Sequence, residues 1–451
     1  MSIFNNNNEG PRPLDPNDVN ELKDFNDINN GVNNNIIPIA NINQFNGGRG
    51  GELPPDPDSN VDASANGVIQ TENNTDIIEL YPVSDNFTYF GSPSSVIPET
   101  YGERFTHNNR GVIDGDISMF NSKTELVNSE ITSISYKKDI EKIAKSVGRL
   151  FIRYKDDKDN LFWFTGTGFC ISRDKVVTAA QLVRPKKQNN DSTLTLDKIF
   201  IFFKSDATVE EEIELSTIER EEDFYELQPI VDLQQYQNHK LTYTKNQQHY
   251  NWSVQHSLEI LQVVGNAPAN AQYILPALPS IAHPILTNSD SNKFYLIGYP
   301  LYIEEDEFKR WYKDSRNNID REYEINFNNL YKLASRYTKA FQRKTISFSE
   351  VADISDNELS AHQIPSLAGC SGGVIGSVRK GNQFLGIHIG GVESLFTNFA
   401  ISVTHPLFYE IYKKYVLSDP SFLEKHEPIL KPYINYCENI LINNNKNNNN
   451  G

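Results

Sequence analysis

The sequence predicts an all-β protein, a sandwich or a pair of barrels, set between two low-complexity ends. Three observations predict it. Short runs rich in β-branched and aromatic residues recur through the middle of the chain, split by turn residues rather than by regularly alternating helices. About 300 residues of this texture, from about 116 to 415, are enough for a sizeable core. The flanks lack such runs, and both are rich in Asn.

Taken in order, residues 1 to about 115 hold about twenty Asn in the first hundred, with Pro and Gly punctuation and few periodic apolar stretches. Such a segment buries too little apolar surface to offset its conformational entropy and is predicted mostly disordered. Asp139 to Ser146 has helical spacing, and Val147 to Tyr154 then reads as a strand. Leu161 to Ile171, Lys198 to Phe203 and Leu258 to Val264 follow as strands, then Phe294 to Ile297, Phe384 to Ile389 and Asn398 to Val403. A charged insertion at 302–344 turns helical, with Phe327, Leu330, Tyr331, Ala334, Tyr337 and Phe341 on one face. Lys332, Arg336, Lys339 and Arg343 form a basic stripe on another face, either solvated or docked on an acidic block such as Glu210 to Asp223. Residues 416–451 read as a tail whose Asn-rich end, from Ile442, is disordered.

Composition narrows the function. Lys and Arg number 42 against 59 Asp and Glu, a net charge of −17, which argues against a general phosphate-backbone binder. Cys170, Cys370 and Cys437 lie far apart, so neither a disulfide framework nor a structural zinc site is expected, and no cofactor. No signal-like or membrane-spanning apolar segment is seen. The expectation is a soluble cytoplasmic protein with a peptide or protein ligand and neither nucleic acid nor membrane as partner; its oligomeric state stays open.

The most informative stretch is Gly369-Cys370-Ser371-Gly372-Gly373. A Ser between glycines sits on a tight turn that exposes its hydroxyl and turns backbone N–H groups to one side. Three further stretches accompany it: Gly386-Ile387-His388-Ile389-Gly390-Gly391, Tyr295 to Pro300, and Gly166-Thr167-Gly168-Phe169-Cys170-Ile171 followed by Val176 to Gln181. Their order and content resemble the trypsin-like (chymotrypsin-fold) serine peptidases, in particular the branch with glutamyl endopeptidases and viral 3C-like peptidases. The likeness covers about 145 to 412. It implies two packed six-stranded antiparallel barrels, the first at about 145–265 and the second at about 270–412, with the active cleft between them.

The resemblance assigns roles as well. Ser371 falls at the nucleophile, and the N–H groups of Gly369 and Ser371 fall at the oxyanion hole. Cys370 fits worse as nucleophile because Ala368, not Gly, stands two residues before it. Cys370 also stands where many secreted members carry the Asp used in zymogen activation, so no such activation is expected. The place of the general-base His holds Gln181, whose amide has no titratable nitrogen. The triad Asp position falls on Ser257, with Asp223 the other candidate register.

Losing the base costs about 10⁴- to 10⁶-fold in turnover, and only the ~10³–10⁴ contribution of the oxyanion hole and binding survives. The expectation is therefore a pseudopeptidase that holds a peptide in its cleft. The rival is an active serine endopeptidase with a relocated base, for which His239, His249 and His256 are the available side chains. Their spacings match no common metal motif. A third reading places the function in the Asn-rich arm or the basic helix. By resemblance His388 lines the pocket for a Glu or Gln side chain, with Ser366 as a second hydroxyl. Gly390 and Gly391 leave backbone free to pair with an extended peptide; alternatively His388 is a core histidine without a ligand.

Overall fold

A computed structural model describes residues 131–449 except 185, 189–191, 204–217, 219–222, 246, 269–271, 279–292, 301–342, 351, 365, 367–368 and 393–396, together with 68–69, 77–80, 96–97, 117–120 and 124–127. All of these belong to one compact unit, residues 62–451. In chain order the strands are β1 (Val68–Ile69), β2 (Ile77–Leu80), β3 (Val96–Ile97), β4 (Ile117–Phe120) and β5 (Leu126–Val127), followed by helix α1 (Ile134–Ala144). Next come β6 (Val147–Lys155), β7 (Leu161–Cys170), β8 (Lys175–Ala179), β9 (Lys186–Gln188), β10 (Ser192–Phe202), β11 (Phe224–Pro229), β12 (Leu241–Lys245), β13 (Gln248–Trp252) and β14 (Leu258–Val263). The second half holds β15 (Leu275–Pro276), β16 (Phe294–Gly298), β17 (Thr345–Ser349), β18 (Ala352–Asp353), β19 (Ser360–His362), β20 (Val374–Ser377), β21 (Gln383–Val392) and β22 (Thr397–Ser402). Helices α2 (Pro406–Tyr415) and α3 (Pro420–Asn449) close the chain.

Six strands close the first barrel. β7 pairs with β6 and β8, β8 with β14, β14 with β11, β11 with β10, and β10 returns to β6, every junction antiparallel. Closure leaves no free sheet edge in the ring. Alternation along β6 explains why these residues make this barrel. Leu150, Ile152 and Tyr154 enter one core with Phe162, Phe164 and Ile201, while Phe151 joins Trp163, Phe200 and Phe224 in a second cluster.

The second barrel repeats the order. β16 pairs with β17 and β20, β20 with β21, β21 with β22, and β22 with β19, again all antiparallel. Numbering six strands within each barrel, both rings run first, second, third, sixth, fifth, fourth. In the second ring no ladder among the described residues joins β17 to β18 or β19, so it is nearly closed. The all-β double-barrel expectation holds, and each strand read from the sequence overlaps an observed one.

Three strands lie within the segment expected to be disordered: β1, β2 and β3. β2 pairs with β13 and β3 with β7, both parallel. The rest of residues 1–115, and the insertion at 302–344 apart from Arg343 and Lys344, lie outside the described residues. The expected C-terminal tail is instead helical: α3 runs through Ile442 into the Asn run. Phe422, Leu430, Tyr433 and Cys437 are buried along it, and Tyr433 donates to Val403 O at 2.6 Å. That apolar face supplies the packing energy the Asn composition cannot. No helix among the described residues is long and apolar enough to cross a membrane.

Candidate functional site

The four glycine-containing stretches meet between the barrels. Thr167, in β7, is the clamp. Its hydroxyl donates to Gly369 O at 2.7 Å and accepts from Tyr299 N at 2.9 Å, and its N–H donates to Ser371 O at 3.0 Å. From the other side Gly372 N donates to His388 O at 2.7 Å and His388 N donates to Gly373 O at 2.9 Å. Gly372 has φ +83°, and a Cβ there would lie 2.0 Å from Thr167 O and 2.3 Å from Thr178 Oγ1. Only glycine fits a turn pressed this hard against the first barrel. The Ser371 loop is thus held by main-chain and hydroxyl bonds from both barrels. The Cys370 side chain points into a core cluster with Leu296, Ile364 and Ile375.

Gln181 faces Ser371 across the seam. It sits in a short 3₁₀ turn, Ala180–Leu182, directly after β8. Tyr154, whose hydroxyl lies 2.5 Å from Leu182 O and 3.0 Å from Arg184 O, braces that turn from the barrel core. Arg184 pairs at 2.8 Å with the buried Glu259, whose other oxygen accepts from Val231 N at 2.8 Å. Burial raises Glu259 to about 7, against the opposing pull of Arg184. The Gln181 amide nitrogen donates to Ile389 O at 2.9 Å and to Ser371 Oγ at 3.3 Å. Those two bonds use both amide hydrogens and set its orientation, since the reversed amide would place oxygen against the Ile389 carbonyl. Ser371 therefore accepts a hydrogen bond here, the opposite of what a general base provides.

The ladder between β14 and β8 puts Leu258 opposite Ala179, so Ser257 is the next residue out, and its carbonyl accepts from Ala180 N at 3.1 Å. Its hydroxyl donates to Val254 O at 2.5 Å. Asp223 immediately precedes β11, a strand that pairs with β10 and β14 and not with β8. Ser257 rather than Asp223 thus adjoins the Gln181 turn. Of the three loop histidines, His239 bonds Glu410 on α2 at 3.0 Å and His249 bonds Thr244 at 3.1 Å. His256 ends a 3₁₀ turn and its carbonyl accepts from Trp252 Nε1 at 3.1 Å. No cluster of His, Cys, Asp or Glu among the described residues could hold a metal.

His388 is buried in β21, and a residue that the sequence did not single out orients it. His362 Nδ1 accepts from Ile364 N at 3.3 Å, so its proton resides on Nε2, which lies 3.1 Å from His388 Nδ1. His388 Nδ1 must then accept, leaving its proton on Nε2. Burial, and secondarily His388, holds His362 well below the ordinary histidine range, which keeps His362 neutral. Ser366 is buried, and its hydroxyl has no hydrogen-bond partner among the described residues. Gly390 (φ +135°) lies at a bulge in β21, and Gly391 pairs with Asn398. Past Ile387, β21 has no ladder with β20. Ser371 and Gln181 are only 2% and 5% exposed.

Compared with known proteins, the chain matches no protein-family model, and no curated protein matches it in sequence.

Proposed function

We propose that this chain is a catalytically inactive homologue of the trypsin-like serine peptidases, which binds a peptide or protein partner in the crevice between its barrels. The observation that carries the reading is the Gln181 amide 3.3 Å from Ser371 Oγ, donating where a general base must accept. The strand order common to both barrels and the glycine loop clamped between them support the family likeness. The low exposure of Ser371 supports the loss of chemistry.

The same site favours a ligand class. His388, oriented by His362 with Nδ1 accepting and Nε2–H as donor, suits the side-chain oxygen of Gln or Glu. The β21 edge at Gly390 and Gly391, past the groups of His388 and Ile389 that bond the Ser371 loop and Gln181, suits an extended backbone added as a further strand. The test pairs hydrolysis with binding. The full chain should leave Gln- and Glu-containing peptides intact and fail to react with a fluorophosphonate probe. An extended Gln peptide should bind and lose at least about tenfold in affinity in His388→Ala, on the scale of one charge-free buried hydrogen bond. Hydrolysis or probe labelling that vanishes in Ser371→Ala would identify an active serine endopeptidase instead.

A further inference from the structure

The hairpin β12–β13 belongs to neither barrel ring. It is inserted between β11 and β14 of the first barrel and forms a separate sheet with β1 and β2. Its far side rests on the second barrel. Leu359 N donates to Thr242 O at 2.8 Å, and Thr244 Oγ1 donates to Glu358 Oε1 at 3.1 Å. Tyr243 meets Phe399 of β22 edge to face at 4.9 Å, and Trp252 lies 6.0 Å from the same ring. The tip of Trp252 reaches the bulge in β21: its Cη2 would be 3.7 Å from a Cβ on Gly390, and Gln181 Nε2 would be 3.5 Å from that same point. Trp252, Gln181 and Gly390 therefore converge beside the buried Ser371.

We propose that the β12–β13 hairpin is a lid, carried by the first barrel and latched on the second through Tyr243 and Trp252, and that Ser371 becomes accessible only when it lifts. The latch consists of two aromatic contacts on one ring, two hydrogen bonds, and the burial of Leu241 and Trp252 in the core cluster that holds Phe399, Ile387 and Ile389. Nothing covalent holds it, and such a contact set opens locally at far lower cost than the barrels unfold. β2 pairs in parallel with β13 from His249 to Trp252, so a strand from the chain's N-terminal side borders the moving element. The lid covers the β21 edge at Gly390, the place where an added peptide strand would lie.

The test needs neither a peptide nor hydrolysis, so it can fail separately from the pseudopeptidase reading. In the full chain, Ser371→Cys places a thiol at the site, and iodoacetamide alkylation of residue 371 is followed by tandem mass spectrometry. Cys437, buried on the inner face of α3, serves as an internal reference for global unfolding. The expected result is slow alkylation at 371 that rises about tenfold or more in Trp252→Ala and in Tyr243→Ala, while Cys437 stays unreacted. Tyr243 is only half-buried, so that variant loosens the latch without emptying a core position. Fast alkylation with the hairpin intact would overturn the proposal. So would a rate unchanged by both substitutions, or one rising only in step with Cys437.

Discussion

Lys344 provides the sharpest quantitative test of the packing between the barrels. Its side chain is buried where the barrels meet: Nζ donates to Ala144 O at the end of α1 at 2.7 Å and to Phe203 O just past β10 at 3.1 Å. The Tyr299 ring lies 5.7 Å from the same nitrogen. These partners are carbonyls and an aromatic face, and burial lowers the ammonium from 10.5 to about 7, with the nearby Cys170 opposing it. A lowered basic group costs stability wherever the unfolded chain holds a proton that the native state has released. Native stability should therefore rise with pH between about 7 and 10.5, and the full cost remains below that window. Between pH 7 and 9.5 the limit is 2.5 units at about 1.4 kcal/mol each, and partial titration at pH 7 leaves roughly 3 kcal/mol. Lys344→Met removes this slope and imposes a pH-independent loss of about 1–3 kcal/mol per carbonyl left without a donor. Urea unfolding of both proteins at pH 7, 8.3 and 9.5 isolates the effect, because other titrations cancel in the difference. Equal slopes in the two proteins would refute the reasoning.

Three further outcomes are expected. Gly372→Ala should lose about 3 kcal/mol or more in urea unfolding, because the methyl group meets the Thr167 carbonyl and φ is positive; a loss under 1 kcal/mol would mean the loop is not clamped. Gln181→His alone should gain little esterase activity, since a histidine without its carboxylate loses about 10⁴-fold, whereas adding Ser257→Asp should raise turnover by orders of magnitude. Equal activity in the single and double variants would place the third triad position elsewhere. In ¹⁵N-histidine spectra His388 should show only the Nε2–H tautomer, and His362→Ala should turn it into a mixture; an unchanged tautomer would remove His362 from the relay.

Much of the fold was legible because its signals are local. The β-branched runs marked strands, and glycines marked the turns where a Cβ has no room, as Gly372 shows. Asn composition, by contrast, misled at the C-terminus, where the distant partners of Phe422 and Tyr433 outweigh it.

What the amino-acid order determined by itself was the run of principal barrel strands and the all-β class; the resemblance carried by its glycine motifs implied two barrels and set Gln181 opposite Ser371. The strands and the glycine motifs rest on residue type or on neighbours a few positions apart. The tertiary structure alone decided the rest. The β14–β8 ladder set Ser257, and not Asp223, beside the Gln181 turn, since register is a relation between strands about 80 residues apart. His362 entered the site because β19, β22 and β21 are adjacent, bringing it to a histidine 26 residues away. Lys344 reads as a surface residue until packing surrounds it. Trp252 is core, and only the fold sets its ring beside Gly390. In each case the deciding free energy belongs to a contact between distant segments, and such contacts exist only after the chain has closed on itself.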